Sequence, residues 1–509
     1  MSLSGRVSLL SAGLFLSFAL LAGRLAGFAR EIILASSLGL SIQADIAIIL
    51  LTIPDLLVNL LLSGGMGIAL IPALRSLNAN KAAALFFQAS LVVGAVFAAV
   101  SVLFVLLPSV CFWLLAPGLP DPLRYLDSWM IYIVAAAIPL TALSGVSTAA
   151  LNSRDKFFVS GCGTLIFNLS IIASLLIAMS RGEQYLAWLC FGILCGVVVR
   201  WWSQLLAMRD GVHGRLVVRH EWLVDNYLLR RFLVGLASSS LLVLVPVILR
   251  AGATNLGEGE LAAFNYAIKL VELPIGILIT TLATVAFPQL SAAHTKIDTS
   301  AFGRLLSDVM QRSLVLSAAV VLCGLPFIDS AVYLLFSSGR LDIEGLYHIT
   351  RLAQVALLSV PFVAVSSLAA AALNAGGGAR IVLRGTCIVM LILLLFCIPG
   401  LLLKEPVMLM GALPAFYMIY SFCLVRAVER QAFLRQGLII VSSGVCYFIV
   451  IGCVVVVSTL IDALFLKAVL SSQSLWVVSL CRIGLAGVTF VVSLIVGLYM
   501  KRIFRIGIV

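Results

Sequence analysis

The chain has 509 residues, of which 62% are hydrophobic and 11% charged, with a mean hydropathy of +1.19. Ordinary soluble domains are about half apolar and a quarter charged, so no soluble core can hide this much apolar surface. The composition excludes a soluble enzyme or binding module and indicates a polytopic membrane protein.

The apolar segments reach about 20 residues or more, the length that crosses hydrocarbon as a helix. Barrel strands would alternate in shorter segments. The expected fold is therefore an all-α polytopic membrane protein. Its 14 spans lie near 7–28, 43–73, 88–113, 129–152, 158–179, 185–207, 232–250, 261–289, 312–336, 351–374, 381–403, 406–426, 438–461 and 475–500. The first run follows Arg6, continues through Leu25 and has no small-residue cleavage site, so it reads as a retained helix and not a signal peptide. The longest connection, "MRDGVHGRLVVRHEWLVDNYLLRR", joins spans six and seven and leaves no room for a separate soluble domain.

Basic residues set the orientation. With the N-terminus in the cytoplasm, 21 of the 33 Lys and Arg residues fall on the cytoplasmic side and 8 on the outer side, the latter including Arg30 and Arg250. This asymmetry predicts two cytoplasmic termini. It also explains the net charge of +12 by attraction to anionic lipid, without nucleic acid. Arg24, Arg200, Lys269 and Arg482 fall within spans. The 11 cysteines lie almost entirely in apolar runs without a Cys-x-x-Cys pair, and read as small buried hydrophobes. His213, His220, His294 and His348 show no ligand spacing, so no metal or other cofactor is expected.

The chain repeats itself. "PLTALSGVSTAALNS" from Pro139 matches "PFVAVSSLAAAALNA" from Pro361, an offset of 222 that also relates Gly163-Thr164 to Gly385-Thr386. "LLTIPDLL" around Pro54 matches "KLVELPIG" around Pro274, and the following segments end in "IPAL" and "FPQL". Spans one to six and seven to twelve are thus two copies of one unit. An even number of spans per copy makes the repeat parallel, about an axis along the membrane normal. The expected organisation is a six-helix bundle at 1–225, a second at 226–435, and two further helices at 436–509. Paired bundles of this kind suit alternating access; a duplicated scaffold is the other reading.

Span two carries Asp45, Thr52, Asp55, Asn59 and Ser63 at steps of 7, 3, 4 and 4, one polar stripe with Pro54 in its middle. Span eight carries Asn265, Lys269, Glu272 and Gly276 at steps of 4, 3 and 4, with Pro274 alongside. Both prolines are expected to kink their helices. A charge at the bilayer centre costs about 2.5–3.5 kcal/mol on insertion scales, so such groups face protein or water and pair. Lys269 and Glu272 either bridge one helix structurally or line a cavity with spans one, two and seven. Arg24 and Arg30 either offer cations to that cavity or anchor to headgroups. Arg482 reads as snorkelling to the interface.

These segments resemble the MurJ/MviN family of lipid II flippases. The resemblance rests on "GRLAGFAREIILASSLG", "ADIAIILLTIPDLL" and "IPAL" at the start. "LAPGL" (Leu115 to Leu119), "ALNSRDKFFVSGCGTLIFN" and "NYAIKLVELPIGILITTLATVAFPQLS" continue it, in order along essentially the whole chain. The resemblance implies two six-helix bundles, a cationic central cavity for a pyrophosphate and its sugar, and a lipid-tail groove along spans thirteen and fourteen. It implies that Arg24, Arg30 and Lys269 hold the pyrophosphate of an undecaprenyl-linked saccharide. Asp45, Asp55 and Glu272 would pair with those cations when the cavity is empty, and Thr52, Asn59 and Asn265 would line it. The implied protein is a non-enzymatic, monomeric flippase of the bacterial inner membrane, coupled to the membrane potential or a cation gradient.

The pattern departs from the family at several places. Val58 and Asn59 stand where paired arginines are usual, Ser63 where an acid is, Ile268 where Asp is, and Lys269 where Arg is. Lysine is a point charge without the bidentate fork of arginine. An exopolysaccharide repeat unit on the same carrier therefore stands beside lipid II as substrate. A drug or organic-cation exporter of the wider superfamily, or a transport-dead scaffold, is the alternative function.

Overall fold

The computed structural model describes residues 3–182, 184–208, 222–279, 282, 299–432, 437–463 and 474–506. Among them there is no strand, and the described part of each of the 14 expected spans falls on helix. Eleven helices among the described residues are long and apolar enough to cross a membrane. The remaining three spans correspond to α1 (Leu3–Leu38), α11 (Glu260–Pro274) and α18 (Gly437–Ile461). "FPQL", most of the loop joining spans six and seven, and His213, His220 and His294 lie outside the described residues.

The chain divides into two compact units, Met1–Ala262 and Ala263–Val509. In the first unit α2 (Ile42–Leu60) runs into a π-helical stretch, Leu61–Leu70, and a short α3 (Ile71–Ser76). Then follow α4 (Ala79–Leu106), α5 (Pro108–Leu115), α6 (Ser128–Ser153), α7 (Phe157–Arg181), α8 (Tyr185–Met208), α9 (Asn226–Ser240) and α10 (Leu244–Ala253). The first compact unit runs to Ala262 and includes α9, which packs along the π-helical stretch of span two.

The second unit contains α12 (Thr299–Gly324), α13 (Ile328–Phe336), α14 (Ile343–Leu357), α15 (Val360–Ala375), α16 (Ala379–Leu403), α17 (Pro406–Ala432), α18 and α19 (Leu475–Ile506). Span ten starts at Ile343, earlier than hydropathy alone placed it, and breaks before Pro361, which has no N–H to continue the ladder.

The two strongest repeat segments are the central helices of their units. Helix α6 packs against α2, α4 and α8, with Ala142, Ser144, Gly145, Ala149 and Ala150 buried. Helix α15 packs against α12, α16 and α17, with Ala364, Ser366, Ala369 and Ala372 buried. Small residues let neighbouring backbones approach where no hydrophobic drive between helices exists. The hydroxyls of α6 cost little there: Thr141 donates to the Ala137 carbonyl at 2.7 Å and Thr148 to that of Ser144 at 2.8 Å.

Two motifs also find structural explanations. In "LAPGL", a Cβ on Gly118 would lie 2.5 Å from the backbone of Thr254 and Asn255, and the Gly118 N–H donates to Thr254 Oγ1 at 3.0 Å. In "ALNSRDK", Arg75 donates to the carbonyls of Asn152 and Ser153 and pairs with Asp155, while Lys156 donates to the Ala207 carbonyl at 2.6 Å. Cations thus satisfy the orphan carbonyls where α6 and α8 end.

Candidate functional site: two intramembrane cation–carboxylate sets

Helix α1 continues ten residues past the expected end of span one, to Leu38, and so carries Arg30 inside the packed unit. Arg30 is 3% exposed, which rules out a headgroup anchor at this position. Its Nη1 donates to Asn168 Oδ1 at 2.9 Å, and its Nη2 donates to Glu31 Oε1 at 2.7 Å and Asp55 Oδ2 at 3.3 Å. Asn168, on α7, returns its amide N–H to the Gly23 carbonyl at 3.1 Å. One guanidinium therefore ties α1, α2 and α7 together. Glu31 and Asn168 are buried, but the Asp55 side chain is 41% exposed. Of the three partners only Asp55 presents itself to an incoming group.

Glu31 and Asn168 were not singled out from sequence. The readable signals were an acid adjoining a span-one arginine and a lone Asn in the apolar run "GTLIFNLS". Arg24 sits on an exposed part of α1, off the Arg30 cluster's buried face.

The span-two stripe does not act as one surface. Asp45 is fully buried, and its carboxylate accepts from the backbone N–H groups of Gly259 at 2.9 Å and Ala262 at 2.8 Å. It was expected to pair with a cation; instead it caps the start of α11, where unpaired N–H groups and the helix dipole favour an anion. Thr52 donates to the Ile48 carbonyl at 2.7 Å and accepts from Arg250 Nη1 at 3.4 Å. Asn59 is exposed. Ser63 has no described side chain.

Helix α2 continues through Pro54, and the wider π-helical turns begin only at Leu61. In the matching helix, π-helical turns at Ile275–Ile279 follow Pro274 directly. Both repeat copies thus carry a π-helical stretch beyond the proline, a feature that concentrates at functional sites.

In the second unit Lys269 Nζ bonds Glu272 Oε2 at 2.7 Å. Their side chains are 29% and 43% exposed, so this pair is open to exchange partners. The Glu272 carboxylate lies within electrostatic reach of the Tyr417 phenol on α17. Asn265 is buried, one turn before Lys269 on the same helix. No group of three metal-ligating side chains occurs among the described residues.

Arg482 is not a snorkelling residue. From α19 it donates to both oxygens of Asp462 at 3.2 and 3.1 Å, to Asp329 at 2.6 Å, to Ser330 Oγ at 2.8 Å and to the Pro326 carbonyl at 3.1 Å. Its guanidinium also lies 5.7 Å from the Phe327 ring centroid. Snorkelling assumed no acid within reach; two carboxylates, distant in sequence, meet it in space.

The family model described as lipid II flippase MurJ matches residues 34–495. A lipid II flippase MurJ of Burkholderia cenocepacia is 24% identical over 350 residues, 65% of this chain and 66% of that protein. A probable lipid II flippase MurJ of Rhizobium tropici is 25% identical, covering 69% of this chain and 68% of its own length. The alignments thus span about two thirds of these relatives. Among solved structures, a lipid II flippase MurJ in an inward closed conformation superposes with a TM-score of 0.78 at 16% identity, covering 97% of this chain and 100% of that one. An inward-facing multidrug resistance MATE family transporter of the MOP superfamily gives a TM-score of 0.68 at 14% identity, covering 82% of this chain and 96% of that one. At these identities the likeness establishes the fold.

Proposed function

Because this chain belongs to the lipid II flippase MurJ family, we propose that it moves an undecaprenyl-pyrophosphate-linked saccharide from the inner to the outer leaflet of the bacterial cytoplasmic membrane. No bond is made or broken. The observation that carries this reading, beyond family membership, is the Arg30–Asp55 pair: a buried guanidinium whose one exposed partner is a carboxylate that an oxyanion can replace.

Phosphate oxygens bind guanidinium by the same charge-assisted geometry as carboxylate does. Arg30 and Lys269 hold the pyrophosphate in the loaded protein, with Arg24 assisting. Asp55 and Glu272 hold those cations in the empty protein, so that it resets without bare charge in the membrane. The cycle proceeds by alternating access of a monomer with both termini in the cytoplasm, driven by the membrane potential or a cation gradient.

A second substrate, an exopolysaccharide repeat unit on the same carrier, is favoured by Val58, Asn59 and Lys269, which replace arginines usual in the family. The two are separated in a strain depleted of its essential lipid II flippase. Restored growth upon expression of this chain establishes lipid II transport. Failure to restore growth, with loss of a secreted polysaccharide on deletion, establishes the second. Failure of both refutes the flippase reading.

A further inference from the structure

Arg200, on α8, is only 4% exposed. Its Nε is buried without a hydrogen-bond partner, and its guanidinium forms no ion pair among the described residues. One turn further along α8, Gln204 is fully buried and donates from Nε2 to Thr148 Oγ1 at 2.9 Å, while its Oε1 has no partner. The neighbouring backbone presses close: a Cβ on Gly163 of α7 would stand 2.9 Å from Arg200 Nε. A guanidinium buried in a membrane protein without a counter-charge is costly, and such groups are normally paired.

Asp55 is on α2, which packs against α8, and its charge lies within electrostatic reach of Arg200. Asp55 contacts Arg30 at 3.3 Å, a longer separation than the 2.7 Å of Arg30 to Glu31. Glu31 is buried on Arg30 and does not offer an alternative partner to Arg200. One partly exposed carboxylate is therefore in hydrogen-bond contact with one buried cation, on a helix that packs against the helix of the other.

We propose that Asp55 is a movable carboxylate, held by Arg30 in the empty protein and handed to Arg200 when a phosphate oxygen takes its place. This rests on the reading of Arg30 as a phosphate contact. The handover removes a like charge from the incoming phosphate and neutralises Arg200 in the same movement. The π-helical turns from Leu61 onward lie on the same span as Asp55, and supply a stretch of helix whose hydrogen bonds can shift register. Arg200 is a positioning residue that acts through Asp55 and does not touch substrate.

The test uses the full-length protein in detergent, titrated with undecaprenyl pyrophosphate, with thermal melts in parallel. Arg200→Gln is expected to weaken binding about tenfold, within the usual range of coupling between sites. Arg200→Lys retains the cation and stays near wild type. In an Asp55→Asn background, Arg200→Gln changes affinity less than about twofold, because the carboxylate to be relocated is gone. Equal losses in both backgrounds overturn the handover, as does a melting temperature lowered by Arg200→Gln and not by Arg200→Lys together with unchanged affinity, which marks a structural role. Arg30→Gln combined with Glu31→Gln, which removes the cation and its buried counter-charge together, separates the two readings. If it weakens binding while Asp55 and Arg200 fail to couple, only the handover is wrong. If it leaves binding intact, the phosphate-contact reading and the handover fail together.

Discussion

Arg30→Ala is expected to abolish transport and to destabilise the first unit by roughly 3–5 kcal/mol, the cost of stripping one partner from a buried ion pair. Glu31 is 2% exposed and loses the cation bonded to it at 2.7 Å, while Asn168 loses its donor at 2.9 Å. Stability and transport separate on further substitution. Arg30→Ala combined with Glu31→Gln removes both charges and is expected to recover much of the melting temperature but no transport, since the phosphate contact stays absent. Arg30→Lys keeps the charge but cannot reach Asn168, Glu31 and Asp55 together, because an ammonium lacks the planar fork. Transport by the charge-free double variant would contradict a role for Arg30 in substrate binding.

Arg482→Ala is expected to lower the stability of the second unit by about 3 kcal/mol or more, for the same reason. Two carboxylates surround this one cation, and the Asp462 side chain is only 9% exposed. Asp329 is half exposed and contributes less, since water takes over part of its solvation. The cluster ties the start of α13 to α18 and α19, so its loss is expected to expose the last two helices to protease before the rest of the unit. Adding Asp462→Asn to Arg482→Ala removes the buried unpaired anion and is expected to restore most of the melting temperature. An Arg482→Ala protein that melts and digests like wild type would return Arg482 to a snorkelling role.

Much of the fold was legible because membranes simplify it. Hydropathy located the spans, and the repeat identified α6 and α15, whose small residues recur because each must let neighbouring helices approach. Helix ends were less legible. The polar stretch around Arg30 and Glu31 looked like the end of span one, yet the helix continues to Leu38 because those charges are paired inside the unit.

The candidate site was half legible. A pair three residues apart on one helix, such as Lys269 and Glu272, follows from spacing alone. Pairs between helices do not: Arg30 with Asn168, 138 residues apart, and Arg482 with Asp329, 153 apart, depend on which faces meet. Asp45 shows the opposite limit. Its spacing put it on a polar stripe and suggested a cation partner, but only the structure reveals that backbone N–H groups receive its charge.

The central claim is that intramembrane cations of this chain hold a pyrophosphate. Lys269 tests it most directly, because its side chain is 29% exposed and, among the described residues, its ion pair runs along its own helix, so its removal is expected to leave the fold intact. The measurement is the affinity of the purified full-length chain for undecaprenyl pyrophosphate, wild type against Lys269→Gln. A charge-assisted contact is worth about 1.5–3 kcal/mol, so the variant is expected to bind at least about tenfold more weakly at an unchanged melting temperature. Equal affinity of the two proteins would contradict the claim.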